Sequence, residues 1–174
     1  MKLLAFAASS SKKSINKKLA TYAASLVEGA QVDVLDLNDY ELPLFSEDKE
    51  EALGQPELAI KFLSKIGESD AVIISFAEHN GSYSAAYKNL FDWCSRINRN
   101  VFQDKPLIYL STSPGQGGAA NVLAAAVKSA KYFGGDVKAS LSIPSFYDNF
   151  DVDAGRISNR ELDEQLRAAL KALS

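Results

Sequence analysis

Three segments of the chain concentrate small hydroxyl, amide and glycine residues. Groups of this kind hold an anion or a flat ring. The first segment is Ala8-Ser9-Ser10-Ser11-Lys12-Lys13-Ser14-Ile15-Asn16. Hydroxyls just ahead of a helix can hydrogen-bond phosphate oxygens, and the free amides and positive dipole end of the helix favour an anion there. Lys12 and Lys13 add positive charge. The segment is not a Walker A loop, because the glycine-rich start and the Gly-Lys-Ser/Thr end are both missing. It is not a dinucleotide G-x-G-x-x-G turn either. An ordinary capped turn with solvated lysines has the same composition, since serine-rich helix caps are common.

The second segment is Ala77-Glu78-His79-Asn80-Gly81-Ser82-Tyr83-Ser84. Asn80-Gly81 is a turn signal. A glycine here lets backbone amides come close to a flat ligand, and Asn80 offers a donor and an acceptor. Read blandly, His79 is a surface histidine and Glu78 the structural partner of a nearby donor. The third segment, Ser111-Thr112-Ser113-Pro114-Gly115-Gln116-Gly117-Gly118, has three glycines and a proline. Its amides are free to point at a ligand and to stabilise developing negative charge. Glycines alone also describe a flexible loop. Three such loops on one rim are harder to assign to coincidence than any one of them.

The elements around these loops alternate between strand and helix. Lys2 to Ala7 is a short apolar strand. From Ser14, Ile15, Leu19, Tyr22, Leu26 and Val27 fall at steps of three or four, with Gly29 closing the helix. Gln31 to Leu37 alternates as a strand with one wetter face. Asn38 to Gln55 reads as a long irregular stretch, and such loops are usually functional or make interfaces. Pro56 opens a helix with Leu58, Phe62, Leu63 and Ile66 on its buried face. Ala71 to Phe76 is a continuous apolar strand, as in the middle of a parallel sheet. A helix follows with Ala86, Leu90, Trp93 and Ile97 on one face, then the strand Pro106 to Leu110. An alanine-rich helix spans about Ala119 to Tyr132 and stops at Gly134 and Gly135. Val137 to Ile143 is the last strand. Ser158 with Glu161 forms a capping-box pattern for a final helix carrying Leu162, Leu166, Leu170 and Leu173. Five strands with five helices in strict alternation imply an α/β domain over residues 1–174, with a parallel sheet, right-handed crossovers and helices on both faces. In such a sheet, ligands bind outside the carboxyl ends of the strands. The three polar loops follow the first, third and fourth strands.

Composition removes much other chemistry. The net charge is −3 over 174 residues, and no basic block suits a nucleic-acid backbone. No apolar run approaches the roughly 20 residues needed to span a bilayer. A single cysteine, Cys94, excludes an internal disulfide framework and a Cys-rich zinc site, and a single histidine, His79, excludes most His-based metal centres. Cys94 beside Trp93 reads as a buried spacer. The start of the chain lacks the apolar core of a signal peptide, so the expected location is the cytoplasm.

The three loops together resemble the NADPH-dependent FMN reductase family of flavodoxin-like proteins, which includes quinone, azo-dye and chromate reductases. The family's first motif, approximately G-S-x-R-x-x-S-x-N, is matched at Ser9, Ser14 and Asn16, with Ala8 and Ser11 as departures. Its second, P-E-Y-N-G-S followed by K-N-x-x-D-W, is matched at Glu78, Asn80, Gly81, Ser82, Lys88, Asn89, Asp92 and Trp93. Ala77 and His79 replace its proline and tyrosine. Its third, S-x-S-x-G-x-x-G-G, is matched at Ser111, Ser113, Gly115 and Gly118, with Gly117 beside them.

The resemblance implies a three-layer α/β/α sandwich with a five-stranded parallel sheet in the order 2-1-3-4-5. It implies FMN as cofactor and NAD(P)H as co-substrate. Ser9, Ser14 and Asn16 would hold the FMN phosphate, with Ser11 or Lys12 covering for the missing arginine and Ile15 beside them. Glu78, His79, Asn80, Gly81 and Ser82 would line the ring, and Ser113, Gly115, Gly117 and Gly118 would approach from the other side. Hydride would pass from nicotinamide to flavin N5 and then to a quinone, azo compound, metal oxyanion or free flavin. No acid–base side chain is needed for this, which suits a chain with one histidine and one cysteine. The family usually forms dimers and often tetramers, and Leu42-Pro43-Leu44 resembles its interface loop. The alternatives are a flavodoxin-like electron carrier docking on redox proteins, against which the modest charge of −3 weighs, and a flavin-free binding module.

Overall fold

The computed structural model describes residues 1–173. In chain order it runs through β1 (Lys2–Ala8), α1 (Ile15–Ser25), β2 (Gln31–Leu35), α2 (Glu47–Leu53), α3 (Glu57–Glu68) and β3 (Ala71–Phe76). A small hairpin of β4 (Glu78–His79) and β5 (Ser82–Tyr83) leads to α4 (Ala85–Ile97), β6 (Pro106–Thr112), α5 (Ala120–Ala130) and β7 (Asp136–Ile143). The short α6 (Phe146–Asn149), a second hairpin of β8 (Phe150–Asp151) and β9 (Arg156–Ile157), and α7 (Arg160–Leu170) complete it.

Strand periodicity decides the layers. Leu4, Phe6 and Ala8 of β1, Val72, Ile74 and Phe76 of β3, and Leu107 and Tyr109 of β6 pack with α3, α4 and α5 in one core. The intervening Leu3, Ala5, Ala71, Ile73, Ile108 and Leu110 pack with α1 and α7 in the other. Residues on both faces of these strands are therefore apolar, as a sheet covered by helices on both sides requires. The sheet has five parallel strands in the order β2-β1-β3-β6-β7. Counted along the main sheet, this is the expected 2-1-3-4-5 order. β2 is an edge strand with Val32 and Val34 exposed, which explains its wetter reading.

Several boundaries differ from the sequence reading. The stretch from Asn38 to Gln55 is not wholly irregular, because Ser46 accepts from the Lys49 amide and starts α2. Glu47, Asp48 and Glu50 favour that start by lying at the positive end of the helix. The last helix is capped by Asn159, whose side chain accepts from the Leu162 amide, and not by Ser158. The Ser158 amide instead donates to the Asn149 carbonyl, which ties it to the preceding turn. α1 ends at Ser25, and Gly29, with φ +70°, serves the turn beyond it. α5 continues past Ala130 as a tighter turn over Lys131–Phe133 before Gly134.

Candidate functional site

Register brings the strand ends level. Ala8 lies beside Phe76, Phe76 beside Ser111, and Thr112 beside Ile143. The loops that follow β1, β3, β6 and β7 therefore share one rim.

In the first loop three of the four serine hydroxyls, those of Ser9, Ser11 and Ser14, accept from backbone amides. Ser9 Oγ accepts from the Ser11 amide at 3.1 Å and Ser11 Oγ from the Lys13 amide at 3.3 Å. Ser14 Oγ accepts from the Lys17 amide at 3.1 Å and caps α1. A hydroxyl used as an acceptor still has its own hydrogen to donate. The amides of Ile15 and Asn16, in the first turn, have no acceptor within the helix. With Lys12 exposed beside them, these donors form a set suited to a phosphate dianion.

Asn16 has a different place from the one its motif implies. It is 3% exposed. Its Oδ1 accepts from Ser75 Oγ at 2.7 Å and from the Thr112 amide at 3.0 Å, and its Nδ2 donates to the Thr112 carbonyl at 3.1 Å. The side chain thus ties the start of α1 to the ends of β3 and β6. Ser84 makes a similar tie: its Oγ donates to the Ala8 carbonyl at 2.8 Å while accepting from the Tyr87 amide at the start of α4.

The second loop is a two-residue hairpin. Glu78 pairs with Tyr83 and His79 with Ser82, leaving Asn80 and Gly81 at the turn with φ of +53° and +78°. Positive φ at both positions is the type I′ geometry that favours Asn-Gly. His79, Asn80, Gly81 and Ser82 are exposed at the rim. Glu78 turns inward, and its Oε1 accepts from the Val122 amide at 2.6 Å. α5 has no side-chain cap of its own, and Ala119 stands at its start with φ +58°. Glu78 therefore supplies the missing acceptor at the positive end of that helix, as its bland reading anticipated.

In the third loop the glycines divide by role. Gly118 has φ +57°, and a Cβ there would collide with Ser142 Oγ and lie 3.2 Å from the Pro144 backbone. Its carbonyl accepts from Ser111 Oγ at 2.7 Å and Ser142 Oγ at 2.8 Å. Gly118 is thus needed for close packing. A Cβ at Gly115 or Gly117 would meet nothing within 4 Å. Those two positions leave open space. The Gly115 carbonyl accepts from the Ser145 amide at 2.8 Å, and the Ser113 carbonyl from the Phe146 amide at 3.0 Å, so the loop is anchored despite its glycines.

Asn89 and Trp93 of K-N-x-x-D-W serve the segment after β2, while Lys88 and Asp92 pair with each other. Asn89 Oδ1 accepts from the Phe45 amide at 2.8 Å, and Nδ2 donates to the Leu42 and Pro43 carbonyls at 3.1 Å. Trp93 Nε1 donates to the Pro43 carbonyl at 2.8 Å, and its ring meets Phe45 edge-on at 5.0 Å. Leu44 is held outward and 73% exposed. A cavity of about 320 Å³ lies between this segment, Ser10, Leu37, Tyr40 and Ala86. The sequence places Trp93 only on the buried face of its helix and gives Asn89 no partner, although their motif is visible. Cys94 is buried, donates to the Ala59 carbonyl at 3.7 Å, and has its thiol pushed up to about 12 by burial.

The profile of the NADPH-dependent FMN reductases matches residues 1–146. The chain belongs to that family. An NADPH:quinone oxidoreductase of Arabidopsis thaliana is 39% identical over 92 residues, covering 53% of this chain and 45% of that protein. An NAD(P)H-dependent FMN reductase of Pseudomonas aeruginosa is 32% identical over 121 residues, covering 69% of this chain and 64% of its own length. The chain thus spans about half to two thirds of these relatives. Among solved structures, the FerB flavoenzyme NAD(P)H:(acceptor) oxidoreductase from Paracoccus denitrificans superposes with a TM-score of 0.77 at 27% identity, covering 99% of this chain and 94% of that one. For this NADPH-dependent FMN reductase relative, the donor set of the first loop and the open side of Gly115 and Gly117 fit a phosphorylated flavin.

Proposed function

We propose that the chain is an NAD(P)H-dependent FMN oxidoreductase acting on a small-molecule acceptor, a quinone, azo compound, metal oxyanion or free flavin. The observation that carries this reading is the first loop. In a chain of this family it sets three hydroxyls and the free amides of α1 on the same rim as two glycine-bearing loops. Bound FMN would supply the two-electron chemistry, taking hydride from the nicotinamide and passing it to the acceptor.

The protein's own residues bind and orient. Ser9, Ser11, Ser14 and the amides of Ile15 and Asn16 would donate to the phosphate, with Lys12 adding charge. The Asn16 side chain acts as a positioning residue, holding the β3 and β6 ends that carry the ring-facing loops. His79, Asn80, Gly81 and Ser82 would flank one side of the ring, and Ser113, Gly115 and Gly117 the other. Glu78 and Gly118 set the shape of these two loops. No side chain is assigned as catalytic.

The proposal extends to a single flavin-binding domain over residues 1–174, a cytoplasmic location, and a homodimer or homotetramer in which Leu44 meets a second copy. Among the described residues no helix is long and apolar enough to cross a membrane. The relatives are named as reductases and oxidoreductases, and no feature of the rim favours the electron-carrier alternative. The test is to load the purified protein with FMN without air and add NADPH or NADH. Rapid bleaching of the bound-flavin absorbance, followed by reoxidation on adding a quinone, is expected. A bound flavin that neither nucleotide reduces would overturn the reading.

A further inference from the structure

A groove of about 400 Å³ lies between α1 and the turn of the β8–β9 hairpin. Four lysines line it, Lys12, Lys13, Lys17 and Lys18, and no carboxylate does. Lys17 pairs with Asp36 at 2.6 Å. Among the described residues, Lys12, Lys13 and Lys18 form no ion pair. The acids on the flanking elements do not neutralise them. Asp163 accepts from the Tyr22 hydroxyl and pairs with Arg167 at 2.8 Å, and Asp151 Oδ1 accepts from the Ala154 amide at 2.9 Å. Asp153, at the tip of the hairpin, does not line the groove. Three unpaired positive charges on one wall call for an anion.

The opposite wall is apolar. Phe150 and Val152 of the hairpin form it, and Val152 is 43% exposed. Together with the aliphatic stems of the lysines, this surface suits a flat base. The volume falls in the range of small-molecule pockets. The groove also adjoins the flavin site, because Lys12 and Ser14 belong to both. Asn16 ties the start of α1 to the end of β6. The lysines at that start therefore lie within one or two strand spacings, about 5–10 Å, of a loop assigned to the flavin ring. A dinucleotide with its nicotinamide at the ring can set its other end here.

Resting on the reductase reading above, we propose that this groove receives the adenosine 2′-phosphate end of NADPH and so makes NADPH, not NADH, the preferred hydride donor. Lys13 and Lys18 hold the 2′-phosphate and Val152 backs the adenine, while Lys12 stays with the flavin phosphate. The residues act on nucleotide choice alone, and no proton or hydride passes through them.

The probe is adenosine 2′,5′-bisphosphate, titrated by calorimetry into protein saturated with FMN, with 5′-AMP as the control that lacks the 2′-phosphate. A Kd on the order of 0.1–1 mM is expected for the bisphosphate. The control should bind about tenfold more weakly, the effect of two or three exposed ion pairs. Lys18→Ala should weaken the bisphosphate about three- to fivefold, and Lys18→Arg should restore it. Val152→Glu, on the opposite wall, should weaken it about as much by setting a like charge near the phosphate. Neither Lys18→Ala nor Val152→Glu should alter the affinity for FMN. In the steady state the KM for NADPH should rise by the same factor with kcat unchanged, and the KM for NADH should not move. The proposal fails if the bisphosphate binds no more tightly than 5′-AMP, if Lys18→Ala and Val152→Glu leave its affinity unchanged, or if excess FMN displaces it. It also fails if the wild-type KM is the same for both nucleotides. A bound flavin that neither nucleotide bleaches would instead overturn the reductase reading, and calorimetry would still decide whether the groove takes the 2′-phosphate.

Discussion

Replacing Asn16 with alanine separates a scaffold role from a direct phosphate contact. The substitution removes the partner of three buried groups, the Ser75 hydroxyl and the amide and carbonyl of Thr112. Each group left unsatisfied costs about 1–3 kcal/mol, so a loss of about 3–5 kcal/mol follows. That is a large part of the roughly 5–15 kcal/mol that holds a domain folded. At about 2–4 °C per kcal/mol for a chain of this size, the melting temperature without FMN should fall by roughly 10 °C. Asn16→Asp adds a second reading. It keeps an acceptor for Ser75 and the Thr112 amide but faces the Thr112 carbonyl with a second acceptor. Burial raises the pKa of a carboxyl, so the protonated form, which can donate, is favoured in the folded state. The deficit of this variant should therefore shrink as pH falls through that raised pKa. The assay is thermal unfolding by circular dichroism, with and without FMN, from pH 4 to 8 on the order of one-unit steps. A flavin-free Asn16→Ala protein that melts within about 2 °C of wild type, yet binds FMN poorly, would refute the scaffold role and restore the direct contact.

Gly118→Ala should lower stability by about 2–4 kcal/mol, because φ is +57° and the new Cβ meets Ser142 and Pro144. Gly115→Ala should leave the unfolding midpoint nearly unchanged while weakening FMN binding, and equal effects in both assays would argue against the division of roles. The Lys17 hydrogen bond, then the Asn38 amide, hold Asp36 below its ordinary value of 3.8. Its contribution is present above that unfolded value and is lost as pH falls through the lower folded value. Asp36→Asn should thus flatten urea-measured stability below about pH 4, by less than about 1 kcal/mol because the pair is partly exposed. Cys94, with its thiol pushed up to about 12, should resist a disulfide reagent in the native protein at neutral pH and react only on unfolding.

Local signals were legible in the chain. Two-faced apolar strands, the Ser14 cap and the Asn80-Gly81 turn each declare themselves within a few residues, and together they dictate the layered sheet and the position of the rim. What was hidden depends on distant partners. Asn16 reads as a phosphate ligand until Thr112 is brought to it across the sheet. Glu78 is readable as the structural partner of some donor, but which donor is not, because the Val122 amide that its Oε1 accepts from belongs to a distant helix that begins after Ala119 and has no cap of its own. The hairpin of β8 and β9 has only two paired positions, too few for a period to show. α2 has no buried residues, so it carries no apolar stripe, and only its serine cap and acidic first turn mark it.

The central claim is that the first loop and the start of α1 receive the phosphate of FMN. Calorimetric titration with FMN and with riboflavin, which differs by that phosphate alone, tests it most directly. The account predicts micromolar FMN binding, riboflavin binding weaker by on the order of 100-fold, and a marked narrowing of that ratio in Ser14→Ala. Equal affinity for the two flavins, or no binding of either, would contradict it.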